Sequence, residues 1–131
     1  MTVRAKDWLN QAKKDLEQAK SSRENGHHEW GCFIAQQAAE KAVKAIHLAL
    51  RQQAWGHVVA KLIAELPEEH QPENDLIEKA RVLDSFYIPT RYPNGHPEGA
   101  PFEHYGPLQS EEAIDYAGEI IRFASDEMAG D

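Results

Sequence analysis

Lys41 and Lys44 stand one helical turn apart, and Gln37 stands one turn before Lys41. Side chains at three- and four-residue spacing share a helix face. Two ammonium groups with an amide between them suit a small anion, the amines neutralising a phosphate and the amide orienting it. The same residues also fit a solvated basic face paired with Glu40 or with the acidic last helix. Further along come Tyr87 and Tyr92, and with them Arg91, whose charge is permanent. Aromatic faces of this kind stack on bases in proteins that bind single strands, and otherwise pack loops or cores. His57, after Gly56, either braces a following helix or faces Arg91.

The seven histidines raise the question of metal. His27 and His28 are adjacent and diverge, and no His-x3-His pair, His-Glu-x-x-His run or paired-cysteine spacing occurs. His96, Glu103 and His104 are the nearest approach to a ligand set, and the expectation is that no metal site exists. Neither a Gly-x4-Gly-Lys phosphate loop nor a Gly-x-Ser-x-Gly elbow is present, and no cofactor is expected.

These residues must be held by helices. Trp8, Ala12, Leu16 and Ala19 recur at helical steps, so a first helix is expected from about Val3 to Glu24, stopped by Asn25-Gly26. A second should run from about Glu29 to Gln53. Its six alanines from Ala35 to Ala49 make it thin, and its apolar face is wide enough for a central helix. A short helix is expected over Val58–Leu66, and another opens near Pro72 and closes before Pro89. From Ile88 to Gln109 come Pro89, Pro93, Pro97, Pro101 and Pro107 with three glycines, which forbid a persistent helix or strand. A loop this long is usually functional or disordered, and its aromatics argue for order. Arg91 is placed to pin it to a carboxylate such as Asp84, with His96 solvated. Ser110 is the expected N-cap of the last helix. The fold expected is all-α: one domain over residues 1–131, an up-and-down bundle of four to five helices with a long Pro/Gly-rich loop before the last.

Composition narrows the function. With 22 acidic and 14 basic residues the formal net charge is −8, so any contact with nucleic acid must use a local basic site against an unfavourable overall field. No apolar run approaches the ~20 residues that span a bilayer. Met1 to Lys6 lacks a signal-type stretch. The lone Cys32 cannot form an internal bridge and reads as a buried side chain. A cytoplasmic location is the expectation.

Three stretches together resemble the HEPN family of small helical domains. They are Phe33-Ile34-Ala35-Gln36-Gln37-Ala38-Ala39-Glu40-Lys41-Ala42-Val43-Lys44-Ala45, then Gly56-His57 with the Leu62 helix, then Leu83-Asp84-Ser85-Phe86-Tyr87-Ile88-Pro89-Thr90-Arg91-Tyr92-Pro93. The resemblance implies a helical bundle that forms a homodimer, paired with a minimal nucleotidyltransferase in a toxin–antitoxin-like system. It implies either a nucleotide- or RNA-binding module or a metal-independent RNase. In the RNase branch the motif is an Arg followed after four to six residues by a His, which Arg91 and His96 satisfy by count. His96 would then move the proton of a ribose 2′-hydroxyl and Arg91 would hold charge on the phosphate. Tyr92 stands where that motif usually has a polar residue, and Pro93 and Gly95 interrupt the pair. Three functions follow: a binding and partner module using Gln37, Lys41, Lys44, His57, Tyr87, Arg91 and Tyr92; an endoribonuclease using Arg91 and His96; or a purely structural dimerisation bundle.

Overall fold

The computed structural model describes residues 3–129, and the readings of Met1 and Thr2 lie outside the described residues. Among the described residues there are five α-helices and no strand: α1 (Val3–Glu24), α2 (His28–Ala49), α3 (Val59–Ala64), α4 (Asn74–Asp84) and α5 (Pro107–Ala129). No described helix is long and apolar enough to cross a membrane.

α2 is the central element and packs on each of the other four helices. Its alanines explain how. Ala35, Ala38, Ala39, Ala42 and Ala45 are fully buried, and they meet helices that also present buried alanine: Ala5, Ala12 and Ala19 on α1, and Ala113, Ala117 and Ala124 on α5. Small residues at a crossing let two backbones approach closely. Bulk comes from Ile46, Leu62, Ile63, Leu83 and Ile120, contributed by α2, α3, α4 and α5.

Helix ends are set by local hydrogen bonds. After α1, His27 N–H donates to Ser22 O at 2.8 Å and Gly26 N–H to Arg23 O at 3.0 Å, with Gly26 at φ +79°. That pair of bonds closes the last turn of a helix whose next residue is left-handed. α2 ends in the same way, four residues short of the expected Gln53. Gln52 N–H donates to His47 O at 2.8 Å, and Arg51 takes the left-handed position at φ 60°. Alanine periodicity carries no trace of this stop, because Arg51 is not a residue that favours it. The buried His47 fastens the end: its Nε2 donates to Leu62 O at 2.8 Å and its Nδ1 lies 3.1 Å from Gln52 Oε1.

Other boundaries shift for similar reasons. α4 starts at Asn74, two residues after Pro72, and stops at Asp84, after which turns carry the chain to Arg91. α5 starts at Pro107 and not at Ser110. Pro107 fits a first helical position, and Gln109 Oε1 accepts the Gly106 N–H at 2.7 Å, closing the entry to the helix. Ser110 is fully buried one turn inside, and its hydroxyl donates to Pro107 O and meets His28 Nδ1 at 2.9 Å.

The Pro/Gly-rich segment between α4 and α5 covers residues 85–106, shifted three residues toward the N-terminus from the expected 88–109, and is ordered by its own bonds. It contains two single 3-10 turns, Pro93–Gly95 and Pro101–Glu103. Buried Thr90 donates to Phe86 O. The His96 and His104 rings stack face to face at 4.0 Å. Tyr105 meets Phe86 edge-on at 6.0 Å, which anchors the segment to the core.

Candidate anion and nucleotide site

The middle of α2, the Gly56-His57 turn and the chain just after α4 meet at one surface. Its centre is a polar pair inside the alanine face of α2. Gln36 is fully buried and Glu40, one turn on, is 6% exposed. Gln36 Nε2 donates to His57 O at 2.8 Å, fixing the backbone of the turn. Glu40 then accepts from the His57 ring, whose Nδ1 lies 3.0 and 3.2 Å from its two oxygens. Lys44 Nζ reaches Glu40 Oε2 at 3.1 Å, and Gln37 Nε2 bonds to Gln36 Oε1 at 2.8 Å. The carboxylate is therefore desolvated but fully partnered, the condition under which a buried charge is tolerable.

Asp84 holds the other side of the turn. Its two oxygens accept the Val59 and Ala60 N–H groups at 2.7 and 3.0 Å, so it caps α3 from another helix. Burial pushes its carboxyl up from the ordinary 3.8; the N–H donors of Ala60 and Val59 and the Gln36 amide oppose that, and the nearby Glu40 charge adds to it. Asp84 is thus committed to α3, and the expected strut between Asp84 and Arg91 does not form.

Arg91 is held by aromatic rings. Its Nε donates to Tyr87 O at 2.8 Å. Its guanidinium carbon sits 4.4 Å from the Phe33 ring centre, 4.6 Å from Tyr87 and 5.1 Å from Tyr92. Guanidinium over aromatic faces is a favourable cation–π arrangement that leaves the edge of the group free. Among the described residues no acceptor engages the Nη groups. The His57 ring stacks on Tyr87 at 4.8 Å with 17° between planes, and Trp30 meets Phe33 edge-on at 6.0 Å. The result is a half-exposed row of rings with one fixed cation and one imidazole beside it.

The residues expected at the site divide into three groups. Gln37, Lys44, His57, Tyr87, Arg91 and Tyr92 are linked through the contacts above. Lys41 is not among them: its ammonium pairs with Asp15 of α1, on the side of α2 facing that helix. The two lysines therefore do not share one anion, because each has its own carboxylate. His96 is half-buried and not solvated. Its Nε2 donates to Pro89 O at 2.7 Å, and no contact among the described residues joins it to Arg91. Among the described residues no three His, Cys, Asp or Glu side chains are grouped to hold a metal ion.

Sequence reasoning missed Gln36, Glu40 and Phe33 as parts of the site. The signal was present for the first two. Gln36 and Glu40 are polar residues one turn apart between buried alanines, and a polar pair on an apolar face marks a buried network.

Comparison with known proteins places the chain among relatives of the same fold. The family model described as HEPN domain matches residues 5–128. A Methanocaldococcus jannaschii protein described as a candidate toxin is 28% identical over 131 residues, covering 93% of this chain and 86% of that protein. The crystal structure of a Thermus thermophilus protein superposes with a TM-score of 0.94 at 49% identity, covering 96% of this chain and 99% of that one. An archaeal HEPN homologue gives 0.82 at 35% identity, over 98% of this chain and 99% of its own. An HEPN domain protein of Thermotoga maritima gives 0.69 at 36%, over 94% and 98% respectively.

Proposed function

The chain belongs to the HEPN family, and from that premise we propose that it is a nucleotide- or RNA-binding module whose phosphate-binding group is Arg91. The observation that carries this reading is the guanidinium between Phe33, Tyr87 and Tyr92 with its Nη donors open. A forked, permanently charged donor suits a phosphate, and the rings around it suit a base. His57, oriented by Glu40, adds a second nitrogen beside the same ring. In this reading the protein works in the cytoplasm as a homodimer. It pairs with a minimal nucleotidyltransferase in a toxin–antitoxin-like system; the candidate-toxin relative supports the toxin side of that reading.

The test is equilibrium binding of AMP to the full chain. Arg91→Met keeps the stem over the rings and removes the charge. Binding should fall by about tenfold or more, the scale of a charge-assisted phosphate contact. Equal binding by both proteins would discard the reading. Co-purification with a co-expressed nucleotidyltransferase, and sedimentation of the free chain, test the pairing and the dimer.

The endoribonuclease reading requires Arg91 and His96 to act on one phosphate. It receives less support, because the His96 Nε2 is engaged by Pro89 O and its ring is stacked on His104. RNA cleavage in chelator that is abolished by His96→Ala would restore it.

A further inference from the structure

Two residues before His57, on the far side of Gly56, an open cleft of about 580 Å³ lies between the end of α2 and α3. It is lined by His47, Gln52, Gln53, Trp55, Lys61 and Glu65. The size is within the range of small-ligand sites. Two features separate it from an ordinary crease. Trp55 is 77% exposed, an unusual position for so large an apolar ring. Its loop is also held in place: Arg51 is kept in the left-handed region, and the buried His47 bonds the Gln52 side chain. A residue kept in a costly backbone conformation next to a cleft is the kind of strain that marks functional loops. Among the described residues no hydrogen bond or ion pair engages the side chains of Gln53, Trp55, Lys61 or Glu65.

We propose that this cleft is a second stacking subsite, taking the nucleotide next to one held at Arg91, so that the ligand of the surface is a single nucleic-acid strand. The inference rests on the reading of Arg91 given above. Trp55 supplies the stacking face, Lys61 the cation for a phosphodiester, and Gln53 and Glu65 a donor and an acceptor for a base edge. Continuity supports it. The Cα atoms of Trp55 and His57 are at most about 7 Å apart, and His57 already stacks on Tyr87. Gly56 between them is at φ +93°, and a Cβ built there would meet nothing within 4 Å, so nothing is packed against that point of the turn joining the two platforms.

The experiment compares two probes on the full chain: AMP, and a labelled 2′-O-methyl oligoribonucleotide of about a dozen nucleotides, long enough for such a track and not cleavable through its 2′-oxygen. The wild type should bind the oligonucleotide more tightly than AMP. Trp55→Ala should weaken the oligonucleotide by about tenfold and leave AMP unchanged, with Trp55→Phe retaining most of the affinity. Lys61→Gln should reduce the slope of log affinity against log salt by about one. Wild type and Trp55→Ala binding the oligonucleotide equally, or the wild type binding AMP as tightly as the oligonucleotide, overturns the subsite and leaves Arg91 untouched. A wild type that binds neither probe overturns the reading of Arg91 and the subsite with it.

Discussion

At the scale of single residues, the account depends on which polar groups are spoken for. Glu40, Asp84 and Asp15 are each satisfied, by His57 with Lys44, by the α3 backbone, and by Lys41. Arg91 is the cation left facing outward from a ring of aromatics. Arg91→Lys should therefore behave almost as badly as Arg91→Met in AMP binding, because an ammonium neither stacks flat nor forks. Asp84 gives a pH prediction. Burial raises its carboxyl, so the folded chain holds that proton more tightly than the unfolded one. The pH-linked part of its contribution is present at low pH and is lost as pH rises through its folded titration, above 3.8, while the cap hydrogen bonds to α3 remain. In urea unfolding, Asp84→Asn should compare worse with wild type at pH 4 than at pH 6. Cys32 should be inert: burial, with help from Glu29 and Glu112, pushes its thiol up to about 12. Iodoacetamide at pH 8 should label it slowly in buffer and readily in urea.

At the scale of elements, the turn between α2 and α3 is a built part. α3 has six residues, too few to hold itself, and its first N–H groups depend on Asp84. Asp84→Ala should cost about 1–2 kcal/mol in denaturant unfolding, the scale of a lost cap. It should also weaken AMP binding through the displaced His57. Arg51→Gly should instead stabilise the chain by about 1 kcal/mol, by relieving a left-handed non-glycine residue. Here the limits of the sequence become plain. The alanine pattern of α2 and the Asn25-Gly26 stop were readable, as was the order of five helices. The helix end at Arg51 was not, because its stop is made by hydrogen bonds that residue type does not announce. Ser110 looked like a cap because serine prefers that place, but Pro107 and Gln109 had already begun the helix. Lys41 could be assigned to a site or to Asp15 only once the packing of α1 on α2 was known.

At the scale of the whole molecule, an acidic chain of net charge −8 carries a local cationic, aromatic surface assembled from α2, the His57 turn and the segment after α4. The proline-rich stretch, whose composition suggested a long loop, folds back so that Arg91 lies over Phe33 of the central helix. That placement brings together Tyr87, Tyr92, His57 and Arg91, which the sequence could name one by one, while the partner of each charge could not be read from it. Few cations face this surface, so the salt dependence of its binding should be shallow, with a slope of about −1 to −2 in log affinity against log salt. A steeper slope would mean that the ligand lies elsewhere. The most direct measurement is a chemical-shift titration of the isotopically labelled full chain with AMP. The account predicts that the Arg91 Nε–H and the rings of Tyr87 and Tyr92 move first and saturate together, while the Lys41 and Asp15 signals on the α1 side stay in place. Saturating shifts confined to the Lys41 side, with Arg91 unmoved, would contradict it.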